Sequence, residues 1–381
     1  MAVKISRIET FLVPPRWLFV RVETEDGAFG WGEASLEGWA EAVDGTFEAL
    51  RDRFIGHDPR RIEDIWQVAY RGGFYRGGPV LMSALAGLEQ ALWDLKGRHY
   101  GIPAWEMLGG QVREFIRAYA WIGGDRPDDV AANAAARREQ GFTAVKMNAT
   151  AELDFLGTPK LLDEVVSRVR AAQGEGMDVG LDFHGRVHKP MAKQLAKLLE
   201  PLGLLFIEEP LLSENPEGLA QLSQAVSTPI ALGERLYSRW DFKPFLAAGA
   251  VDIIQPDLSH AGGILECRKI AAMAEAYDVA VAPHCPLGPL ALASCLQLAA
   301  CTPNLAIQEM SLGIHYNVGH DLLHFVTNKD ALTPVDGNLP IPQGSGLGVE
   351  IDEAAVREAA KEPHRWRNPV WRYKDGSFAE W

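Results

Sequence analysis

Several features that mark large classes of protein are scarce or missing in this sequence. Cysteine is scarce: Cys267, Cys285, Cys295 and Cys301 are the only four among 381 residues, and no two form a CxxC pair. That argues against a disulfide framework and for reduced thiols. Positive charge is also short, with 37 Lys and Arg against 51 Asp and Glu, for a net charge of −14. Nucleic-acid binding needs clustered cations opposite phosphates and is not expected. The most apolar stretch, about Pro79 to Leu95, carries Glu89 and Asp94 and reads as a buried amphipathic helix rather than a membrane span. The opening MAVKISRIETFLVPPR lacks the apolar run and cleavage site of a signal peptide. No Walker or Rossmann glycine pattern is present, which argues against nucleotide cofactors. What remains is a cytoplasmic globular protein with a small-molecule ligand, no nucleic acid and no membrane.

The composition, 47% hydrophobic, supplies a large core, and the length allows two or three domains. Residues 1–115 read as α+β: KISRIETFLV and LFVRVETEDGAFGWGEA alternate like strands, and SALAGLEQALWDLKGRHYG reads as a helix ending at Gly101. From 116 to about 330 the rhythm changes. IRAYAWI, FTAVKMN, DVGLDFH, LLFIEEP, PIALGER, VDIIQPD, VAVAPHC and LAIQEM alternate with helical segments, the pattern of a parallel β/α array. Eight such runs suggest a closed β/α barrel rather than an open sheet. Residues 331–381 leave the rhythm and end in an aromatic tail, WRNPVWRYKDGSFAEW, for which the first domain is the natural packing partner.

Polar residues recur at the carboxyl ends of these runs. Lys146 is followed by Asp182 with His184, then Glu208, Glu234, Asp257, His284 and Glu309, spaced 23 to 27 residues apart from Asp182 onward. One β/α unit consumes about that length, so the spacing predicts a ring at one mouth of the barrel, where such barrels do their chemistry. Three carboxylates on consecutive strands, Asp182, Glu208 and Glu234, would repel one another unless a cation sat between them. An all-oxygen shell suits a hard cation such as Mg²⁺. The competing reading makes each acid a helix cap or the partner of a local Arg, such as Arg235 for Glu234. Strand alternation places His184 on the same face as Asp182. Asp257 lies where it can orient His284 and raise its basicity, as a general base requires. Of the other eight histidines, His57, His99, His315, His320, His324 and His364 read as structural or exposed. At the second inward position of the Lys146 strand stands Asn148, which cannot abstract a carbon-bound proton, so His284 is the supported base. Loops near Trp17 and Arg76 are candidate lids over the mouth.

The motifs Lys146-Met147-Asn148, Asp182-Phe183-His184, Glu208-Glu209-Pro210, Gly233-Glu234-Arg235, Gln255-Pro256-Asp257 and Ala282-Pro283-His284 resemble those of the enolase superfamily, mandelate racemase branch. PPRW, YRGGP, LDFHGR, QPDLSHAGGI, APHCPLGP and GIHYN extend the likeness to acid-sugar dehydratases of that branch, essentially end to end. The resemblance implies a modified TIM barrel, (β/α)7β, with an α+β capping domain completed by the C-terminal segment. It implies Mg²⁺ on Asp182, Glu208 and Glu234, and His284 with Asp257 removing a carbon-2 proton. Lys146 and Glu309 would stabilise the enediolate, and His184 would protonate the departing 3-hydroxyl. Lys146, Asn148, Trp17 and Arg76 are the expected substrate contacts, and a homo-oligomer is implied. The alternatives are a dehydratase for a different sugar acid and an epimerase or racemase of the same superfamily. Less favoured are a non-catalytic barrel and a zinc hydrolase, which would recruit more His or Cys.

Overall fold

The computed structural model describes residues 3–123, 129–317, 319–362 and 364–381. The chain opens with an antiparallel meander of β1 (Ile5–Val13), β2 (Trp17–Thr24) and β3 (Phe29–Glu33). Helices Ala40–Phe54, Ile62–Arg71 and Pro79–Tyr100 follow. The last of these starts on a proline and stops at Gly101, whose φ of 71° is left-handed, the expected asymmetry of helix ends. It lies directly on the sheet. A Cβ at Gly32 would sit 2.2 Å from the Gly87 carbonyl oxygen, so glycine here allows the close approach. That contact explains why β2 is almost wholly buried rather than alternating.

The second body is built of parallel strands β4 (Phe115–Trp121), β5 (Ala144–Asn148), β6 (Asp178–Asp182), β7 (Phe206–Glu208), β8 (Ile230–Leu232), β9 (Ile253–Ile254), β10 (Ala280–Val281) and β11 (Gln308–Glu309). A helix follows each of the first seven. β11 returns to pair with β4, Gln308 opposite Ala118, and the residues before it pair with β10 through Leu305 and Val281. The circle therefore closes, giving the (β/α)7β barrel with an α+β cap that the sequence implied. The strands are shorter than the apolar runs suggested. The chain leaves the ladder at the mouth, where the polar residues stand.

Buried acids of the cap tie it to the barrel. Glu33 accepts from the N–H groups of Gly288 (2.8 Å) and Ala291 (2.9 Å), and Glu89 from those of Ile264 (2.8 Å) and Leu265 (2.9 Å). Both pairs of donors lie in the first turns of barrel helices, whose positive dipole ends favour an acid. The C-terminal segment touches both bodies. β12 (Asn338–Pro340) adds antiparallel to β4, while helix Glu353–Ala359 packs on β1, with Arg357 paired to Glu9 at 2.8 Å. The aromatic tail, for which the first domain was the natural partner, is divided too. Arg367 pairs with Glu41 of the cap at 2.9 Å, but Trp371 lies under Arg186 at 4.6 Å and Trp381 reaches His184 at the barrel mouth. Composition showed that the tail packs but not against what.

Candidate active site

The strand ends deliver the predicted ring. Asp182 and Glu208 close β6 and β7 and are register partners. Glu234 follows β8 by way of Gly233, where any side chain would meet the Gln255 backbone at 2.7 Å. Asp257, His284 and Glu309 complete one side, and Lys146 on β5 the other.

Asp182, His184 and Glu234 each offer a ligand atom within 4.8 Å of the others. Asp182 Oδ2 is buried without a hydrogen-bond partner. Burial pushes its carboxyl up to about 7; Lys146 pulls it down and Glu234 pushes it further up. Glu208 is turned elsewhere: both its oxygens meet Lys146 Nζ, at 2.8 and 2.9 Å, and one accepts from Gln255 at 2.6 Å. Even so, burial lifts it to about 8. An orphaned buried oxygen beside crowded carboxyls is a donor set suited to a hard divalent cation. Arg235 offers only partial compensation, with Nε at 3.5 Å from both Glu234 and Glu209.

His284 Nδ1 is 2.8 Å from Asp257 Oδ2, and its Nε2 is 3.2 Å from Glu234. Burial alone would lower its pKa, but Glu309, Glu234 and Asp257 hold it well above the ordinary value. His184 is in the opposite condition. Burial, then Arg186, pushes it down to about 3, with Glu234 opposing. Its position does not come from strand alternation, because β6 ends at Asp182 and His184 has a φ of 54°. A turn, in which the His184 N–H donates to Asp182 Oδ1 at 2.7 Å, returns the imidazole to the cluster. Left-handed backbone at a non-glycine residue is strained, and strain of this kind collects at functional sites.

Lys146 is fully buried between Glu208 and Glu309 (2.9 Å) and lies 4.7 Å from the Trp121 ring centre. Burial opposes its charge, but the surrounding carboxylates raise it well above the ordinary lysine value. Glu309, expected to help stabilise an enediolate, accepts hydrogen bonds from Trp121 Nε1 and the Cys285 N–H, each at 2.8 Å. It also pairs with Lys146.

A cavity of about 400 Å³ opens over this ring and is lined by Asn148, Asp182, His184, Glu234 and His284 from the barrel. Of the two lid residues, neither reaches it. Trp17 is fully buried, stacked on Phe19, and Arg76 is exposed outside the cavity. The residue beside Trp17, Arg16, lines the cavity instead, since neighbours at the start of a strand face opposite ways. Arg16, Glu37, His260, His315, Tyr316 and Trp381 also line it, and sequence reasoning passed over them or, for His315, read it as structural. His260 had a signal, three residues beyond Asp257. Glu37 had none.

Residues 10–109 match the mandelate racemase / muconate lactonizing enzyme N-terminal domain, and residues 129–355 the enolase C-terminal domain-like family. The chain is 55% identical to a D-galactonate dehydratase from Ralstonia pickettii, spanning 99% of this chain and 100% of that protein. It is 54% identical to a D-galactonate dehydratase from Pectobacterium atrosepticum, over the same shares. Among solved structures, an enolase from Agrobacterium radiobacter with bound sodium and L-malate superposes with a TM-score of 0.90 at 31% identity, covering 99% of this chain and 100% of that one. A member of the enolase superfamily from Salmonella Typhimurium gives 0.84 at 30%, over 94% and 98%. Among the described residues no helix is long and apolar enough to cross a membrane.

Proposed function

We propose, because this chain belongs to the mandelate racemase branch of the enolase superfamily, that it is a hydro-lyase converting D-galactonate to 2-dehydro-3-deoxy-D-galactonate and water. D-galactonate is the substrate of the relatives that are 54–55% identical over the full length. The observation that carries dehydration is that two imidazoles, His184 and His284, flank one carboxylate, Glu234, inside the acidic cluster.

Asp182, Glu208 and Glu234 would hold Mg²⁺, which supplies a Lewis acid for the substrate carboxylate and offsets the second negative charge of an enediolate. His284 accepts the carbon-2 proton at Nε2, while Asp257 holds Nδ1. Lys146 donates to the developing anion, with Glu309 fixing its ammonium. His184 gives a proton to the leaving 3-hydroxyl. The electrons of the broken C2–H bond form the C2–C3 double bond as the C3–O bond breaks, and the enol product becomes the 2-keto acid. One proton taken and one given leave the reaction neutral overall. Family membership also supports a cytoplasmic homo-oligomer.

The test is 2-keto acid formation from a panel of aldonic acids with Mg²⁺ and with EDTA. D-galactonate should be the best substrate and EDTA should abolish turnover. Faster turnover of a different aldonate would overturn the substrate, and epimerisation without keto acid would overturn the reaction.

A further inference from the structure

We infer that Glu37 selects for a sugar acid ending in a neutral hydroxyl and excludes one ending in a second carboxylate. This rests on the proposed reaction for the other end of the molecule, which the barrel ring takes up. Glu37 stands just after β3 in the cap and lines the same cavity as His184, Glu234 and His284. Its side chain keeps 17% of its surface exposed and forms part of the cavity wall.

The charges around it determine what that wall can accept. Glu37 Oε1 is 3.4 Å from Arg16 Nη1, and Oε2 is 3.4 Å from His260 Nε2. Burial pushes its carboxyl up, but the hydrogen bond from His260 and the charges of His260 and Arg16 outweigh this and hold it at about 2. It is therefore a carboxylate at any working pH. Arg16 is committed elsewhere as well. Its Nη2 donates to the Pro286 carbonyl at 2.9 Å, and its guanidinium lies 4.8 Å from the Tyr316 ring centre and 5.3 Å from that of Trp366. Only 2% of the Arg16 side chain is exposed. The second arginine of the cavity, Arg235, donates to the His184 carbonyl at 2.9 Å and lies among the ring carboxylates.

Arg16 is thus withheld from a far carboxylate, Arg235, 26% exposed, belongs to the ring end of the cavity beside Glu234, and the cap wall offers an acceptor. A hydroxyl can donate to that acceptor. A carboxylate cannot, and meets a like charge at close range in a half-closed cavity. Rejection by a built-in repulsion of this kind is a common route to specificity.

The experiment measures binding and kcat/KM for matched pairs, D-galactonate against galactarate and D-gluconate against glucarate, with Mg²⁺. It compares the wild-type protein with Glu37→Gln and Glu37→Asp. Wild type should prefer each aldonate by about 100-fold, and Glu37→Gln should shrink that preference at least about tenfold, as expected for one charged contact. Glu37→Asp should keep most of it. An aldarate accepted as well as its aldonate by wild type, or an unchanged ratio in Glu37→Gln, would overturn the inference. If Glu37→Gln does not fold, Glu37→Ala takes its place, with the same loss of preference expected and an unchanged ratio overturning the inference. If wild type binds the aldonates selectively but turns none over, the proposed reaction falls while the charge selection stands.

Discussion

The two imidazoles at the barrel mouth lie only one carboxylate apart, yet they sit in opposite fields. His284 faces Asp257, Glu234 and Glu309 and is held protonated. His184 is pushed the other way by burial and by the charges of Arg186 and Arg235, which favour its neutral form. A base must begin neutral and an acid must begin protonated, so the free site is charged in the reverse sense. The contrast has a simple origin: surrounding carboxylates push His284 up, while burial and neighbouring arginines push His184 down. Glu234 engaged as a metal ligand would hold the His284 proton less strongly, and an anionic substrate near His184 would offset the arginines. We therefore expect loading of the site to bring each histidine to its working state.

Three perturbations would break or sharpen this contrast. The largest is His284→Asn, which removes the base face. We expect a fall of about 10⁴-fold in turnover, the upper end for a general base, with Mg²⁺ affinity by calorimetry unchanged. Retained turnover would mean that the proton leaves by another route. Next is Lys146→Met, which takes away the cation between the faces. A loss of about 10²–10³-fold in kcat is expected, typical of a donor to a developing anion. A change confined to KM would assign Lys146 to ground-state binding instead.

The smallest effect is on stability. Burial raises Glu33 and Asp182 to about 7, and Glu89, Glu208 and Glu209 to about 8. Unfolded, these groups lose their protons at ordinary carboxylate values. Between there and about pH 8 the folded chain holds more protons, and its stability falls as pH rises. The raised His284 acts in the same direction, its contribution present at low pH and lost as pH rises through its folded value. His184, lowered to about 3, contributes an opposing slope only below its ordinary value of about 6.5. Melting in EDTA should therefore show Tm decreasing from pH 6.5 to 8.5. Added Mg²⁺ should raise Tm more at pH 8 than at 6.5, because ligation needs the carboxylates deprotonated. A flat profile in EDTA would show that these acids are not desolvated in the free protein.

The barrel and its ring were legible because each β/α unit consumes a near-constant length of chain. Asp182, Glu208, Glu234, Asp257, His284 and Glu309 therefore betray their shared level by spacing alone. His184 reached its place for a different reason from the one alternation supplied, through a strained turn that no periodicity encodes. The contact expected at Trp17 is displaced by a single residue. Trp17 enters the core while Arg16 faces the cavity, and a one-position shift at a strand edge exchanges the two faces. Glu37 was invisible because its partner His260 lies more than 200 residues away, across the contact between cap and barrel.

The division of labour between the faces is tested most directly by His184→Asn incubated with Mg²⁺ and D-galactonate in deuterated water, with the carbon-2 proton followed by NMR. Exchange at carbon 2 should continue, because His284 is intact, while 2-keto acid formation falls by at least about 10²-fold. Loss of exchange in this variant, with exchange surviving in His284→Asn, would contradict the account and reverse the two roles.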